Sequence, residues 1–242
     1  MPLKTIIRSI PVLAAAFAAG AVCAASDPQV EAIRKAVTAA AGQAPDSVTA
    51  SPIKGLWEVV LDKRVFYADE GARHLIVGRI FEAATERDLT AERIEELNRV
   101  KWDEMPMKDA IKVVYGKGER KVIVFTDANC PYCRMLEQNL RRVGNLTVYN
   151  FMYPVLRSRE EARRIVCAAD PVKTFEESMA SGQVAEVGPC SNSAVLDRNI
   201  ELGQKLGINS IPAVIFADGS RNTGLMTVEA IEEKLASLAA KR

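Results

Sequence analysis

The chain has 242 residues, of which 48% are hydrophobic and 26% charged, and its formal net charge is +1. This is the composition of an ordinary globular protein with room for one large domain or two smaller ones. A chain of this length buries a sizeable core, so a disulfide needs a reason beyond rescuing stability. The balanced charge gives no indication of nucleic acid or of an anionic membrane as a partner.

The first 25 residues have the layout of a secretory signal peptide. Lys4 and Arg8 form a positive n-region, residues 10–22 are an uncharged apolar run, and Cys23-Ala24-Ala25 offers a cleavage site. The run is well short of the roughly 20 apolar residues that span a bilayer. Val22 argues against a lipoprotein anchor, because such signals require a small residue before the cysteine. We therefore predict an exported protein whose mature chain is not inserted in a membrane.

Removal of the signal peptide changes the charge and the cysteine count. Without Lys4 and Arg8 the 32 basic residues become 30, against 31 acidic ones, so the mature chain has a formal charge of −1. Four cysteines remain after the loss of Cys23, and in an exported chain they indicate two pairs in an oxidising compartment. They are Cys130, Cys133, Cys167 and Cys190.

The mature chain begins with one predicted helix and a strand-rich segment. Apolar residues at helical spacing predict a helix over 30–41, and residues 42–51 have loop composition. Strand-type runs follow over 56–61, 65–67 and 74–81. One helix and a few strands form a thin core. We therefore expect this module to need a partner, for which exposed strand edges are suited.

Residues 88–103 contain a charged helix that we interpret as a solvated connector between two folded parts. Thr90 can cap this helix, and Glu92 places a carboxylate in its first turn, where the helix dipole favours negative charge. Its apolar positions recur on one narrow stripe: Ile94, Leu97 and Val100.

From about Lys108 onward the pattern becomes α/β. A short buried strand over 121–126 leads directly into Cys130-Pro131-Tyr132-Cys133 and a helix that runs to about Val143. A strand over 146–151 completes a β-α-β unit. The remaining predicted elements are helices over 159–169, 173–179 and 193–206, a strand over 213–216, a turn at 217–220 and a closing helix over 228–239.

The two cysteines at the start of this helix predict thiol–disulfide chemistry. A thiol attacks a disulfide only as a thiolate, and a helix N-terminus favours the thiolate. Pro131 suits the first helical turn, where its missing N–H costs nothing. Cys130 is the predicted exposed nucleophile. Cys133, one turn along, is the predicted resolving thiol that releases a trapped mixed disulfide.

Two other interpretations of the CxxC motif are less well supported. A zinc site would need a second pair of soft ligands, and Cys167 and Cys190 are far apart in sequence. The single histidine, His74, belongs to the other module. A purely structural disulfide between Cys130 and Cys133 would close only a very short loop. We therefore expect redox chemistry that uses neither a metal nor an organic cofactor.

Neighbouring residues are predicted to tune the motif. Pro131 and Tyr132 place no cation between the cysteines, so we expect a less depressed thiol pKa than in a histidine-containing motif. This argues against the strongest oxidants. Asp127 either caps the helix or tunes Cys133 as a nearby carboxylate, and the cap is the favoured interpretation.

Cys167 and Cys190 enclose about two dozen residues of the helical region. If they are joined without strain, the disulfide would stabilise the fold by roughly 3–4 kcal/mol on the loop-entropy model. We favour a structural disulfide over a second redox pair, since neither cysteine has a CxxC setting at a helix start.

These features together resemble the DsbC/DsbG-type periplasmic disulfide isomerases over nearly the whole mature chain. The segments that carry the resemblance follow in the family's order and spacing: Val124–Asp127, Cys130–Cys133, the Cys167/Cys190 pair, Ile211–Val214 and Asp218-Gly219. The Pro131-Tyr132 pair resembles the DsbG branch, whereas the Cys167/Cys190 pair resembles the DsbC branch.

The resemblance implies an α+β fold in three parts. Residues 26–86 would form a cystatin-like α/β dimerisation module, 87–104 a linker helix, and 105–242 a thioredoxin-like α/β catalytic domain with a helical insertion. Pro212 would be a cis-proline that faces the nucleophile and the substrate. The family usually has Thr where this chain has Ile211, which removes a hydroxyl from the substrate-facing rim.

The resemblance also implies a function and partners. A V-shaped homodimer would hold misfolded exported proteins in an apolar cleft, where Cys130 attacks their incorrect disulfides. A membrane reductase of the DsbD type would keep the cysteine pair reduced. The alternatives are a dithiol oxidase, a DsbG-like reductase of sulfenic acids, and a dimer that acts mainly as a chaperone.

Overall fold

The computed structural model describes residues 27–184, 186, 188 and 193–240. The predicted signal peptide, residues 1–25, and Cys190 lie outside the described residues. The chain divides into two compact units. The first runs to Val60 and includes Phe66–Ile76, and the second contains Leu61–Val65 and the chain from Val77 onward. In the described part of the chain no helix combines the length and the apolar character needed to cross a membrane.

The first unit is a helix with a four-stranded sheet. Its elements are α1 (Pro28–Ala41), β1 (Ser47–Ala50), β2 (Leu56–Leu61), β3 (Arg64–Asp69) and β4 (Leu75–Ile76), with the strands in the order β1-β2-β3-β4. Asp27 caps α1 by accepting the N–H of Gln29 at 2.9 Å. Ile33 and Val37, one turn apart, are buried against Val48 and Val59 of the sheet.

The predicted helix and the first two predicted strands are confirmed, but two other predictions in this region are wrong. Residues 47–50 were predicted to lie in a loop, yet they form β1, which pairs with β2. The strand was missed because Val48 alone faces the core, so the sequence shows no alternation. The predicted strand over 74–81 is interrupted. Leu75–Ile76 pairs with β3, whereas Phe81–Glu82 is a separate strand, β5, which pairs with β6 (Arg87–Asp88).

The connector helix is α2 (Leu89–Leu97). Its cap is Asp88, whose carboxylate accepts the N–H of Ala91 at 2.8 Å, so the predicted cap by Thr90 is wrong. Thr90 is buried, and its hydroxyl instead accepts the N–H of Ile80.

The residues after α2 belong to the second unit and are hydrogen-bonded within it. The prediction of a solvated connector is therefore wrong for the C-terminal part of 88–103. The N–H of Val100 donates to the carbonyl of Gly219 at 2.8 Å, and Arg221 donates to the Asn98 side chain at 3.0 Å. Gly219 has a φ of +80°, and a Cβ there would overlap the carbonyl of Val100. The close approach of the two backbones therefore requires glycine.

The second unit is built on a five-stranded sheet in the order β11-β10-β8-β9-β7. Two short 3₁₀ helices, Trp102–Glu104 and Met107–Asp109, precede the sheet. The strands are β7 (Ile111–Tyr115), β8 (Arg120–Thr126), β9 (Leu146–Met152), β10 (Ala213–Phe216) and β11 (Arg221–Thr223). The described helices are α3 (Pro131–Val143), α4 (Arg159–Cys167), α5 (Pro171–Ser181), α6 (Ala194–Lys205) and α7 (Val228–Ala239). The predicted elements of this unit are confirmed within a few residues, but β7 and β11 were not predicted.

The strand directions bring three loops to one edge of the sheet. β8 and β9 are parallel, so they end at the same edge, and β10 is antiparallel to β8 and begins there. The loop that follows β8 contains Asp127 and leads into Cys130. The loop after β9 ends at Ser158, and the loop before β10 contains Ile211 and Pro212. The fold therefore assembles the CxxC motif with segments that are distant in sequence.

Candidate active site

Cys130 occupies the N-cap position of α3, with an extended backbone (φ −86°, ψ 115°). Its carbonyl accepts the N–H of Arg134 at 3.1 Å, the first hydrogen bond of the helix. No side chain caps α3, and Pro131 stands in its first turn. The first-turn N–H groups therefore remain without a side-chain acceptor next to the Cys130 thiol.

Both cysteines of the motif are free thiols, and neither is widely exposed. Cys130 is 5% exposed and Cys133 1% exposed. The prediction that Cys130 is exposed is therefore wrong, because Cys130 belongs to the main apolar core. The half-buried Ile211 packs against the same core. Between the two cysteines, Tyr132 is 61% exposed.

The surroundings of Cys133 act on its pKa in both directions. Burial raises the pKa of the Cys133 thiol most strongly, and its hydrogen bond with Cys130 raises it further. The backbone N–H of Asp127 and the hydroxyl of Thr126 donate to the Cys133 sulfur and lower the pKa. Because burial dominates, Cys133 stays a protonated thiol near neutral pH while Cys130 is the thiol nearer the surface.

The peptide bond between Ile211 and Pro212 is cis. Pro212 is buried, and Ile211 is half-buried and packs against the core cluster that contains both cysteines. The carbonyl of Pro212 accepts the N–H of Gly224 at 2.8 Å, which holds this loop to the segment that follows β11.

Asp127 does not cap α3, so the favoured interpretation of this residue is wrong. Its carboxylate is already occupied: Oδ1 accepts the N–H of Asn129 at 3.0 Å, and Oδ2 accepts the hydroxyl of Ser158. Asp127 is 1% exposed and lies directly beside Cys133 through its backbone. The other interpretation, that the Asp127 carboxylate tunes Cys133, stays a prediction, since Asp127 acts on Cys133 through its backbone.

Sequence reasoning missed three residues around the motif. Thr126, at the end of β8, donates its hydroxyl to Cys133. Arg134 donates to the carbonyl of Ala128 at 2.8 Å and so ties the loop before Cys130 to α3. Ser158 binds Asp127 from 31 positions away. Its place directly before a predicted helix signals an N-cap and gave no indication of this contact.

Cys167 is the last residue of α4 and is disulfide-bonded. Its predicted partner, Cys190, lies outside the described residues, so the Cys167–Cys190 pairing stays a prediction.

A β-α-β unit with two free thiols at its helix start and a cis-proline at the same sheet edge defines a thioredoxin-like thiol–disulfide oxidoreductase. Residues 107–239 match the family model described as a thioredoxin-like domain. Residues 24–91 match the model described as the disulfide bond isomerase protein N-terminal domain. The chain belongs to the DsbC-type family of thiol:disulfide interchange proteins, which confirms the predicted family and fold.

Two curated relatives support this assignment over most of the chain. The probable thiol:disulfide interchange protein DsbC of Bordetella pertussis is 36% identical over 214 residues, which are 87% of this chain and 76% of the relative. The corresponding protein of Bordetella avium is 34% identical over 211 residues, 86% of this chain and 76% of the relative. A solved structure of a disulfide interchange protein from Neisseria gonorrhoeae is 28% identical. The match covers 55% of this chain and 97% of the Neisseria gonorrhoeae chain, with a TM-score of 0.49.

Proposed function

We propose that this protein is a periplasmic thiol–disulfide isomerase and reductase that attacks incorrect disulfides in exported proteins through Cys130. The observation that carries the proposal is the pair of free thiols in the first turn of α3, one deep in the core and one nearer the surface. Membership of the DsbC-type family supports the same activity.

The reaction begins when the Cys130 thiolate attacks one sulfur of a substrate disulfide. A bond forms between Cys130 and that sulfur, and the other substrate sulfur leaves as a thiolate. In isomerisation, a substrate thiolate then attacks the mixed disulfide, forms a new substrate disulfide and returns Cys130 as a thiolate. In reduction, Cys133 loses its proton and attacks the Cys130 sulfur. The substrate leaves reduced, and the enzyme retains a Cys130–Cys133 disulfide.

The raised pKa of Cys133 favours isomerisation over rapid reduction. A protonated Cys133 attacks slowly, since only the thiolate is nucleophilic. The mixed disulfide on Cys130 therefore lasts long enough for the thiolates of the substrate to compete for it. A substrate that does not rearrange is released in the reduced form when Cys133 attacks the mixed disulfide.

The rim of the site is suited to an unfolded protein chain. Tyr132 is 61% exposed and Met135, one turn further along α3, is 47% exposed. Ile211 presents a branched apolar side chain next to Pro212. We assign Ile211 and Pro212 to the substrate-facing loop, and Pro131, Tyr132 and Asp127 to the tuning of the two cysteines.

The proposed assembly is a homodimer formed through the N-terminal module, residues 26–86, with 87–104 as the linker and 105–242 as the catalytic domain. β4 is the last strand in the order of its sheet, and its two residues, Leu75 and Ile76, are 46% and 47% exposed. An exposed apolar edge strand is suited to pairing with a second copy. A membrane reductase of the DsbD type would return the oxidised protein to the dithiol, and a Cys167–Cys190 disulfide would stabilise the helical insertion.

The test is recovery of activity from scrambled, fully oxidised ribonuclease with catalytic amounts of the mature protein in a glutathione buffer. We expect strong recovery with the wild type and none with Cys130→Ala. Cys133→Ala is expected to accumulate mixed disulfides that a non-reducing gel resolves. Efficient oxidation of reduced ribonuclease without any recovery of the scrambled form would instead identify a dithiol oxidase.

A further inference from the structure

We propose that Ser158 is a positioning residue for the Cys133 thiol and that it acts through the buried Asp127. Ser158 lies in the loop after β9, 25 residues from Cys133 in the sequence, and none of the motif features identifies it. The inference rests on the proposed function, because the reaction step it affects is the attack of Cys133 on the mixed disulfide.

The first step of the argument is the place of Asp127. This residue follows β8 directly, and its carbonyl accepts the N–H of Cys130 at 3.1 Å, which places its backbone at the start of α3. Its own N–H faces the Cys133 sulfur and lowers the pKa of that thiol. The strength of that hydrogen bond depends on where the backbone of Asp127 lies relative to the sulfur. A group that fixes Asp127 therefore fixes a donor that stabilises the Cys133 thiolate.

The second step is how Asp127 is held. Its side chain is 1% exposed, and the described residues supply two donors to its carboxylate. The N–H of Asn129 binds Oδ1 from within the same loop, and the hydroxyl of Ser158 binds Oδ2 from a different loop. The bond from Asn129 moves with the loop, whereas the bond from Ser158 anchors the loop to the start of α4.

The third step is that Ser158 does not do what its position predicts. It is the N-cap residue of α4, where a serine oxygen commonly accepts a backbone N–H of the first turn. In this structure its side chain makes no cap hydrogen bond, although its carbonyl accepts the N–H of Ala162 at 2.9 Å. Ser158 is 1% exposed, and its hydroxyl donates to the carboxylate of Asp127. The one side-chain donor of Ser158 thus serves the active-site loop rather than its own helix.

The affected step is the resolution of the mixed disulfide. The Cys133 thiol loses its proton, and its sulfur forms a bond to Cys130. The bond from Cys130 to the substrate breaks, and the substrate sulfur leaves with the electron pair. Without the Ser158 hydroxyl, the Asp127 carboxylate keeps only the N–H of Asn129 from its own loop, and the Asp127 N–H stabilises the Cys133 thiolate less well. Attack by Cys130 on the substrate does not use the N–H of Asp127, although the Asp127 carbonyl accepts the N–H of Cys130.

The experiment follows the reaction of the reduced mature protein with oxidised glutathione, by acid quenching and mass spectrometry. Step 1, formation of the glutathione adduct on Cys130, and step 2, its release by Cys133, are measured separately over a range of pH. For Ser158→Ala we expect step 1 to change much less than step 2. Step 2 should be slower by about fivefold, which is the change in rate expected from the loss of one ordinary hydrogen bond. We also expect the pH profile of step 2 to move to higher pH.

Three further variants separate positioning from general loosening. Ser158→Thr keeps the hydroxyl and should restore step 2, whereas Ser158→Gly removes it at a helix N-cap position that tolerates glycine and should behave as Ser158→Ala. Ser178→Ala is the matched control. Ser178 is also 1% exposed and lies in the helical insertion, but its hydroxyl donates to the carbonyl of Thr174 at 2.6 Å within α5. It should change neither step.

A wild-type rate and pH profile for step 2 in Ser158→Ala, or an equal slowing in Ser178→Ala, would overturn the inference. Failure of the proposed function has a different signature, the absence of step 1 in the wild type. In that case the pH dependence of Cys133 alkylation in a Cys130→Ser background still decides the inference. The hydroxyl-free Ser158 variants should shift that titration to higher pH, and an unshifted titration would refute the role of Ser158.

Discussion

The two units of this protein bury their apolar residues to very different extents. In the first unit the fully buried cluster is small and is formed by one helix face and a few strand residues, while the edge strand β4 leaves Leu75 and Ile76 about half exposed. In the second unit both faces of the five-stranded sheet are covered, with Phe125 and Phe151 fully buried. The sheet of the second unit is thus covered on both faces, whereas the sheet of the first unit ends in an apolar edge strand that a second copy can cover.

The largest expected effect is on the core of the second unit. Phe125 is 0% exposed, stacks on Phe151 with the ring centroids 5.2 Å apart and meets Tyr153 edge to face at 5.8 Å. Phe125→Ala should lower the free energy of unfolding by about 3–5 kcal/mol, because it removes these contacts and leaves a cavity. Chemical denaturation followed by tryptophan fluorescence measures the change. Phe81→Ala, at a 59% exposed position, is the control and should have little effect. If the two variants lost equal amounts of unfolding free energy, the burial of Phe125 would not be what stabilises the second unit.

An intermediate effect is expected at the exposed edge of the first unit. Leu75→Lys combined with Ile76→Lys should weaken association by about 2–3 kcal/mol, since two apolar side chains are replaced by charges at the pairing edge. Light scattering over a dilution series should show a monomer where the wild type is a dimer. Reaction with glutathione should be unchanged, because it uses the second unit alone. A double variant that remains dimeric at every concentration would place the interface elsewhere.

The smallest expected effect concerns a buried carboxyl group on α3. Burial raises the pKa of Glu137, and the hydroxyl of Tyr115 donates to its carboxyl while Arg141 and Glu176 lie nearby. A raised folded-state pKa means that folding takes up a proton. The stabilisation is complete below the unfolded-state pKa and is lost as the pH rises through the folded-state pKa.

Glu137→Gln removes this dependence because glutamine stays neutral and still accepts the Tyr115 hydroxyl. The free energy of unfolding of the variant should match that of the wild type near pH 4 and exceed it at pH values above the folded-state pKa of Glu137. Denaturation at a series of pH values tests this. Glu176→Gln, at the half-exposed end of the same cluster, is the control. If the difference between Glu137→Gln and the wild type did not vary with pH, the pKa of Glu137 would be the same in the folded and unfolded states, which would contradict the prediction.

The predictable part of the fold was the part with strong local signals. β8, β9 and β10 are short apolar runs bounded by turn residues, and the Cys130-Pro131 pair marks the start of α3. β7 was missed although its signal is present. Ile111, Val113 and Tyr115 are buried and alternate with exposed residues. β1 has only Val48 facing the core, so its sequence shows no period. The run over 74–81 contains strand-forming residues throughout, and its division between two pairings depends on tertiary structure.

The site was predictable to the same degree. The two cysteines and Pro212 follow from a motif and a family order. The bond between Ser158 and Asp127 joins positions 31 residues apart, and no local rule relates them. The capping rule that failed for Asp127 considered one helix, whereas the folded chain offered its carboxylate two nearer donors. Thr90 failed as a cap for the same reason, since Ile80 uses its hydroxyl.

The depth of Cys130 has a consequence for which proteins this enzyme can serve. Since only 5% of the residue is exposed, a substrate disulfide reaches the thiol only if its own chain can adapt its local conformation. A correctly folded protein holds its disulfides in rigid surroundings and resists such adaptation, whereas a misfolded one offers mobile loops. For the proposed isomerase, the burial of Cys130 therefore favours disulfides in flexible segments over disulfides held rigidly in a folded protein.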